Sequence, residues 1–236
     1  MNSRLTAQLA SFSGALESAT TGEEIQAALV ALEGTVLKSN IEEQSTASVE
    51  AREYLVGEAN TRGLSWKLNL LRQVAAANFC QLVRVGVHGG NTKILGQPEN
   101  IDITLAIYEA LIPAYEALSS KAFTEFSDAQ TKGEGEPTVH RVGWVNKFLI
   151  DAPDSAFGAV SGDRESAASG NRKASDTINE KSSAVATFKA SLAPAKPAKE
   201  PKAPKAPKAK KSAPAEGEAA TDSGSVAPQD IPNDAE

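Results

Sequence analysis

The sequence predicts an α+β protein with a mainly helical core, a small antiparallel β-hairpin and a disordered C-terminal tail. Three observations lead to this fold class. Apolar residues recur at the three- and four-residue spacing of amphipathic helices through much of the first 160 residues. Two β-branched runs that flank Gly89-Gly90 interrupt this spacing. Finally, 8 of the 12 prolines fall in the last 43 residues, where no apolar pattern recurs.

The N-terminal segment, residues 1–41, is predicted to form a helical hairpin that packs on the core. The first helix carries a stripe at spacings of four, three and four, formed by Leu5, Leu9, Phe12 and Leu16. Thr21 and Glu24 fit a capping box that opens the second helix. Its stripe is formed by Ile25, Leu29, Leu32 and Val36. Two short helices bury each other only partly, so we expect them to need a larger partner.

Residues 42–160 are predicted to supply that partner. The polar segment 48–58 is compatible with a helix, whereas residues 64–79 carry an apolar pattern broad enough for a helix covered on several sides. We expect residues 64–79 to be the central core helix. The runs 80–87 and 92–96 then predict a two-stranded hairpin, which must pack on helices or gain further strands because two strands alone are marginal in water.

Two further helices are predicted later in the core. Residues 101–126 continue the helical spacing, and Pro113 is expected to kink this helix or split it in two. Residues 140–150 form the last core helix, which Pro153 is expected to end or bend. Residues 161–193 contain few apolar anchors and are predicted to be a weakly docked helix or a linker.

Residues 194–236 form the predicted disordered tail. Its first part repeats with a period of three, which in a polyproline II helix places lysines along one side about 9 Å apart. These are Lys196, Lys199, Lys202, Lys205 and Lys208, followed by Lys210 and Lys211. Seven lysines against Glu200 give this block a net charge of +6, and the acidic remainder carries -6. The formal charge of -6 therefore belongs to the folded body, and the basic segment is expected to have a function of its own.

The composition also narrows the class of protein. No stretch approaches the roughly 18 to 20 apolar residues of a membrane span, and the N-terminus lacks an apolar signal core, so we expect a soluble cytoplasmic protein with no membrane partner. Cys80 is the single cysteine and excludes an internal disulfide. With only His88 and His140 beside it, a zinc site is not expected, and no cofactor is predicted.

Enzymatic signatures are missing where the sequence allows a check: there is no phosphate-binding loop, no zinc-protease motif and no nucleophile elbow. Cys80 and His88 could form a thiolate pair, but a cysteine at a helix-to-strand junction is more typical of a small buried apolar residue. The acidic residues Glu24, Glu33, Glu42 and Glu43 could act as paired carboxylates, although acidic helix faces are usually solvated. The sequence predicts a non-enzymatic protein, with an undetected hydrolase as an alternative.

Cationic and aromatic side chains cluster in the middle of the chain and predict a ligand site. The candidates are Arg62, Trp66, Lys67, Arg72, Arg84, His88, Asn91, Lys93, Trp144 and Lys147, with His140 and Arg141 beside the last two. Cations next to an aromatic plane and a Gly-Gly turn suit a phosphate that carries a stackable base. In the alternative interpretation both tryptophans belong to the core and the cations are solvated.

Three segments together carry a resemblance to a known family: residues 37–41 at the end of the helical hairpin, residues 65–80, and residues 144–148 with the sequence Trp-Val-Asn-Lys-Phe. Over about residues 5–160 the chain resembles the phage and bacterial proteins that carry domain of unknown function 2786 and its companion domain. That family favours a Gly-Ala pair after the late aromatic residue, where this chain has Asp151-Ala152-Pro153. The resemblance implies a phage or mobile-element setting and no established activity.

The leading functional hypothesis is a non-enzymatic phage-type accessory protein that binds a nucleotide, a cyclic nucleotide or another nucleotide-derived signal. Sequestering such a ligand would serve counter-defence or host takeover in the host cell cytoplasm. One alternative is a nucleic-acid-associated protein that binds without sequence preference through its basic tail. Another is a scaffold or virion-associated interaction protein, and homo-oligomerisation stays open in each case.

Overall fold

The computed structural model describes residues 3–43, 47–56, 64–84, 91–131 and 140–192. Within these residues the helices are α1 Ser3–Ser18, α2 Gly22–Glu43, α3 Leu64–Ala77, α4 Pro98–Thr131, α5 Arg141–Gly170 and α6 Arg172–Leu192. The strands are β1 Glu50–Leu55, β2 Gln81–Arg84 and β3 Asn91–Gly96, which form an antiparallel sheet in the order β1-β3-β2. This mainly helical architecture with a small antiparallel sheet confirms the predicted fold class. The predicted tail lies outside the described residues, which belong to one compact unit ending at Pro194.

The capping box predicted between α1 and α2 is present. The backbone N–H of Thr21 donates to the Glu24 carboxylate at 3.1 Å, and the backbone N–H of Glu24 donates to Thr21 Oγ1 at 3.3 Å. The same carboxylate accepts a hydrogen bond from the backbone N–H of Thr20. The hydrogen bonds from the Thr20 and Thr21 backbones lower the pKa of Glu24, because they favour its charged form. The side chains of Thr21 and Glu24 thus provide hydrogen-bond partners for backbone N–H groups at the start of α2.

Helix α3 lies in the centre of the core, as the sequence predicts. Leu70, Leu71 and Val74 are fully buried, and α3 contacts α4, α5 and β2. The helix ends in a Schellman turn, in which Phe79 takes the left-handed conformation (φ 56°) and the Cys80 N–H donates to the Ala75 carbonyl at 2.8 Å. Glycine is usual at this position, so the phenylalanine stores strain of about 1 kcal/mol or more.

The predicted hairpin corresponds to β2 and β3, with Leu82 opposite Ile94. The sequence is compatible with a helix over residues 48–58, but residues 50–55 form β1 and pair with the other side of β3. Burial alternates along β1: Tyr54 packs edge-on against Tyr108 of α4, whereas Glu53 is exposed. A polar segment becomes a strand here because pairing with β3 satisfies its backbone, which composition alone does not reveal.

Neither Pro113 nor Pro153 ends its helix, so of the predicted alternatives the splitting of α4 and the ending of α5 are wrong. Helix α4 is not split at Pro113, and α5 continues past Pro153 to Gly170. Pro153 is itself buried, so packing on the core offsets the missing backbone hydrogen bond. The segment 161–193 therefore contributes the end of α5 and all of α6, which buries Ala174, Thr177, Lys181 and Val185 at spacings of three and four.

Candidate functional site

The candidate residues on α3 take part in packing and an ion pair. Trp66 is only 4% exposed and belongs to the core cluster, which agrees with the interpretation of this tryptophan as a core residue. The Lys67 ammonium lies 3.0 Å from the Glu116 carboxylate of α4 and 5.4 Å from the centre of a Trp66 ring. Arg72 is exposed on the same helix.

The candidates around the sheet are described only in part. Asn91 is exposed at the start of β3, and the Lys93 ammonium lies 3.1 Å from the Glu53 carboxylate across the strand pair. Arg84 stands opposite Thr92 in the ladder. The structure does not describe the side chain of Arg84, and Arg62 and His88 are outside the described residues.

The remaining two candidates lie together on α5, where Trp144 is half-buried and the Lys147 ammonium pairs with Asp151. The lysines at 67, 93 and 147 thus each pair with a carboxylate from a different element: α4, β1 and α5. A single pocket that combines the sequence candidates stays a prediction.

Trp144 belongs to a cluster of four half-buried aromatic rings that joins the C-terminal half of α4 to the start of α5. Its ring centre lies 5.6 Å from that of Phe123, 5.5 Å from that of Phe126 and 5.5 Å from that of Phe148. The Phe126 and Phe148 rings are nearly parallel to it, at 26° and 15°. The Arg141 guanidinium lies 5.5 Å from the centre of the Phe123 ring, which is cation–π distance. We call these four rings the aromatic cluster.

A groove of about 550 Å³ adjoins the aromatic cluster at Phe148. Three parts of the chain line it, namely the α1–α2 turn, α4 and α5. From the turn and the start of α2 come Thr20, Thr21, Gly22, Glu23 and Gln26; from α4 come Leu118, Ala122 and Glu125; and from α5 come Phe148, Ala152 and Ser155. The two long helices contribute an apolar floor, and the turn contributes a polar end.

Among the described residues that line this groove, the two charged ones are both negative. They are the carboxylates of Glu23 and Glu125, which reach it from α2 and α4. The neighbouring Lys121 ammonium donates to the Thr20 carbonyl at 3.2 Å and lies 4.0 Å from the Glu125 carboxylate, at the long limit of an ion pair. The groove therefore combines an apolar floor with an acidic rim.

Cys80 is buried, and burial raises the pKa of its thiol to about 12. The thiol is thus neutral at physiological pH, which agrees with the interpretation of Cys80 as a small buried apolar residue. Its sulfur packs against the backbone of Gly96, where an added Cβ would collide with it. His88, the predicted partner for a thiolate pair, is outside the described residues.

Glu33 contradicts the expectation of a solvated acidic face. It is 2% exposed, its carboxylate lies 3.1 Å from the Arg164 guanidinium of α5, and it accepts a hydrogen bond from Asn78 Nδ2 at 3.0 Å. Burial raises the pKa of Glu33 to about 7 despite the opposing effect of Arg164. The Arg164 guanidinium also lies 4.7 Å from the centre of the Phe79 ring. The group ties α2, the end of α3 and α5 together.

The other acidic residues act locally. Glu24 belongs to the capping box, Glu42 is exposed with the Arg4 guanidinium at 4.0 Å, and the side chain of Glu43 is not described. In the part of the chain that the structure describes, no three His, Cys, Asp or Glu side chains come together as metal ligands. None of the described helices has the length and apolar character needed to cross a membrane.

The aromatic cluster was missed by sequence reasoning, which singled out Trp144 alone. A usable signal was present. Phe123 and Phe126 lie three residues apart near the end of one predicted helix, and Trp144 and Phe148 lie four apart at the start of the next. Consecutive helices joined by a short connection usually pack antiparallel, which brings these two ends together.

Comparison of the chain with protein-family models, with curated proteins and with solved structures found no match. The resemblance of residues 5–160 to the proteins with domain of unknown function 2786 stays a prediction, as does the phage setting that it implies.

Proposed function

We propose that this protein is a non-enzymatic binding protein that recruits a helical segment of a partner protein through the groove between α4 and α5. The observation that carries this proposal is the half-buried aromatic cluster, which continues into an apolar groove at Phe148. Large aromatic rings dominate the binding energy of protein interfaces, since each brings much apolar area at a small cost in conformational entropy.

The dimensions of the groove favour a helix. Its lining runs from Leu118 to Glu125 on α4 and from Phe148 to Ser155 on α5. Seven residues of helix rise about 10 Å, which is about two turns. Two helices side by side leave a depression into which the apolar face of a third helix fits, as in other helix-in-groove complexes.

The test is selection of helical peptides from a display library against the full-length chain, followed by measurement of Kd for the selected peptides. Ala152→Glu places a charge on the groove floor and should weaken binding at least tenfold. Trp144→Ala should weaken it by a similar factor because it removes a cluster ring. Arg72→Ala, on an exposed α3 position, is the matched control and should leave Kd unchanged. Peptides that bind wild type and Ala152→Glu equally would contradict the proposal.

A phosphate-bearing ligand is the second candidate, favoured by the Arg141 guanidinium over Phe123 beside the half-buried Trp144. A nucleotide could place its phosphate on such a cation and its base against an aromatic ring. Calorimetry with mono-, di- and cyclic nucleotides tests this function. Arg141→Ala should abolish binding and leave the fold intact, and Lys93→Ala or Arg84→Ala should do so if the site lies at the sheet. No heat of binding at millimolar nucleotide excludes it.

A further inference from the structure

We infer that the segment recognised by the groove is a cationic amphipathic helix of about two turns, with lysine or arginine on the flanks of its apolar face. This inference rests on the proposed function and names the chemistry of the partner. It also distinguishes the partner from neutral and acidic helices, which the apolar floor alone would accept.

The arrangement of charge around the floor carries the inference. Leu118 and Ala122 of α4 form one side of the apolar floor, and Ala152 of α5 forms the other. The Glu23 and Glu125 carboxylates border this floor. A helix whose apolar stripe lies on the floor presents its flanking side chains to these carboxylates, so lysine or arginine there gains two charge-assisted contacts.

Lys121, a cation beside the rim, leaves the Glu125 carboxylate largely exposed to solvent. Lys121 is directed to the Thr20 carbonyl, to which it donates a hydrogen bond at 3.2 Å, and it approaches Glu125 only to 4.0 Å. The Glu125 side chain is 68% exposed. A bound cation can therefore approach this carboxylate from the solvent side without displacing Lys121.

The charge of the whole body acts in the same direction. Residues 1–193 carry the full formal charge of -6, so a cationic segment is attracted before contact and an acidic one is repelled. Attraction of this kind raises the association rate and decreases with ionic strength. Binding of the partner should accordingly weaken as salt is added.

The experiment uses three synthetic 16-residue peptides, long enough to support some helix in solution. They share one apolar stripe and differ only in the flanking positions, which are lysine, glutamine or glutamate. Fluorescence anisotropy with the full-length chain should give a Kd for the lysine peptide about tenfold below that of the glutamine peptide, and the glutamate peptide should bind more weakly still. Raising salt from 50 to 500 mM should remove most of the difference.

The double variant Glu23→Gln/Glu125→Gln should raise Kd for the lysine peptide severalfold and leave the glutamine peptide unchanged. Asp163→Asn, at an exposed position of α5 outside the groove, is the matched control and should change neither. Circular dichroism of each variant confirms that the fold is kept.

Failure of the inference and failure of the proposed function give different results. Equal binding of the three peptides, abolished in each case by Ala152→Glu, would overturn the cationic partner and keep the groove as an interaction site. Weak binding of all three peptides that Ala152→Glu does not change would overturn both. A concentration-dependent dimer of the full-length chain that Ala152→Glu dissociates would assign the groove to a second copy and also overturn the inference.

Discussion

Gly96 of β3 packs directly against Cys80, which follows the end of α3. The Cys80 thiol occupies the space that a side chain at residue 96 would need, and Ile101 closes the same space from α4. The position of Cys80 is fixed by the Schellman turn at Phe79, whose backbone is itself strained. Glycine at residue 96 is therefore a requirement of packing, since its own φ is not in the left-handed range.

We expect Gly96→Ala to lower the free energy of unfolding by about 1–3 kcal/mol, the usual effect of overpacking a core. In the double variant Gly96→Ala/Cys80→Ala, loss of the sulfur frees the space, and part of this loss should be recovered relative to the two single changes. Urea unfolding of the four proteins measures the coupling. Strict additivity of the two changes would show that the sulfur is not the obstacle.

Glu33 gives stability a specific pH dependence. Its pKa of about 7 in the folded protein lies above the ordinary value of 4.5 because burial disfavours the charged carboxylate. A proton on Glu33 therefore favours the folded state, and this contribution is complete below pH 4.5 and is lost as the pH rises to 7. Above pH 7 it no longer changes.

We expect Glu33→Gln to reduce the loss of stability between pH 4.5 and pH 7 by roughly 2–3 kcal/mol relative to wild type. The glutamine cannot titrate but can still accept a hydrogen bond from Arg164. The measurement is urea unfolding of both proteins at half-unit steps of pH, with Glu42→Gln as a control at an exposed position of the same helix. Parallel curves for wild type and Glu33→Gln would contradict a titrating Glu33.

Helix α3 has a buried apolar face and an exposed polar one. Leu71 is fully buried, and the adjacent Arg72 is exposed. We expect Leu71→Ala to lower the free energy of unfolding by about 2–5 kcal/mol, through lost apolar contacts and the cavity left behind. Arg72→Ala should change it by less than about 0.5 kcal/mol. The measurement is urea unfolding of both variants. A similar loss of unfolding free energy in Leu71→Ala and Arg72→Ala would contradict the position of Leu71 in the core.

Elements that are helical by spacing could be predicted from sequence, and elements that depend on a distant partner could not. The Leu5, Phe12 and Leu16 stripe identifies α1 because the period of 3.6 residues is local. Strand β1 has no such signal. Its residues become a strand by pairing with β3, about 40 residues later in the chain.

The same distinction applies to the candidate site. The sequence predicts the same ligand-binding role for Trp66 and Trp144. In the structure Trp66 is buried in the core, whereas Trp144 belongs to the half-buried aromatic cluster. Burial of an aromatic residue depends on how far its neighbours extend, which the spacing of its own helix does not encode. Glu33 was misjudged for the same reason, because its partner Arg164 lies 131 residues away in sequence.

At the scale of the whole molecule, the stability of the acidic body should not depend on the tail, and the lysines of the tail should supply any binding to DNA. Deleting residues 194–236 should leave the melting temperature nearly unchanged, because the described core ends before them.

The lysines of the tail should give binding to duplex DNA a strong salt dependence. If all seven contact a phosphate, the slope of log K against log[salt] is about -6, which is the steepest value that the tail allows. Removing residues 212–236 should tighten binding, and removing residues 194–211 should abolish it.

Filter binding with the full-length protein and the two truncations, at low and physiological salt, measures these effects. A random-sequence and a defined duplex should bind alike, since phosphate contacts carry no sequence information. Equal affinities of all three proteins would show that the lysines serve only as a soluble spacer.

Pro113 gives α4 an uneven bending stiffness. Because proline has no N–H, the carbonyl of Glu109 lacks its usual hydrogen-bond donor within the helix. We therefore expect α4 to bend most easily at this turn. The half before it is held by the sheet through Arg52 and Asp102, and the half after it carries the aromatic cluster. We expect α4 to bend most easily between these two halves, so that the end with the aromatic cluster can adjust to an incoming helix while the sheet end keeps its register.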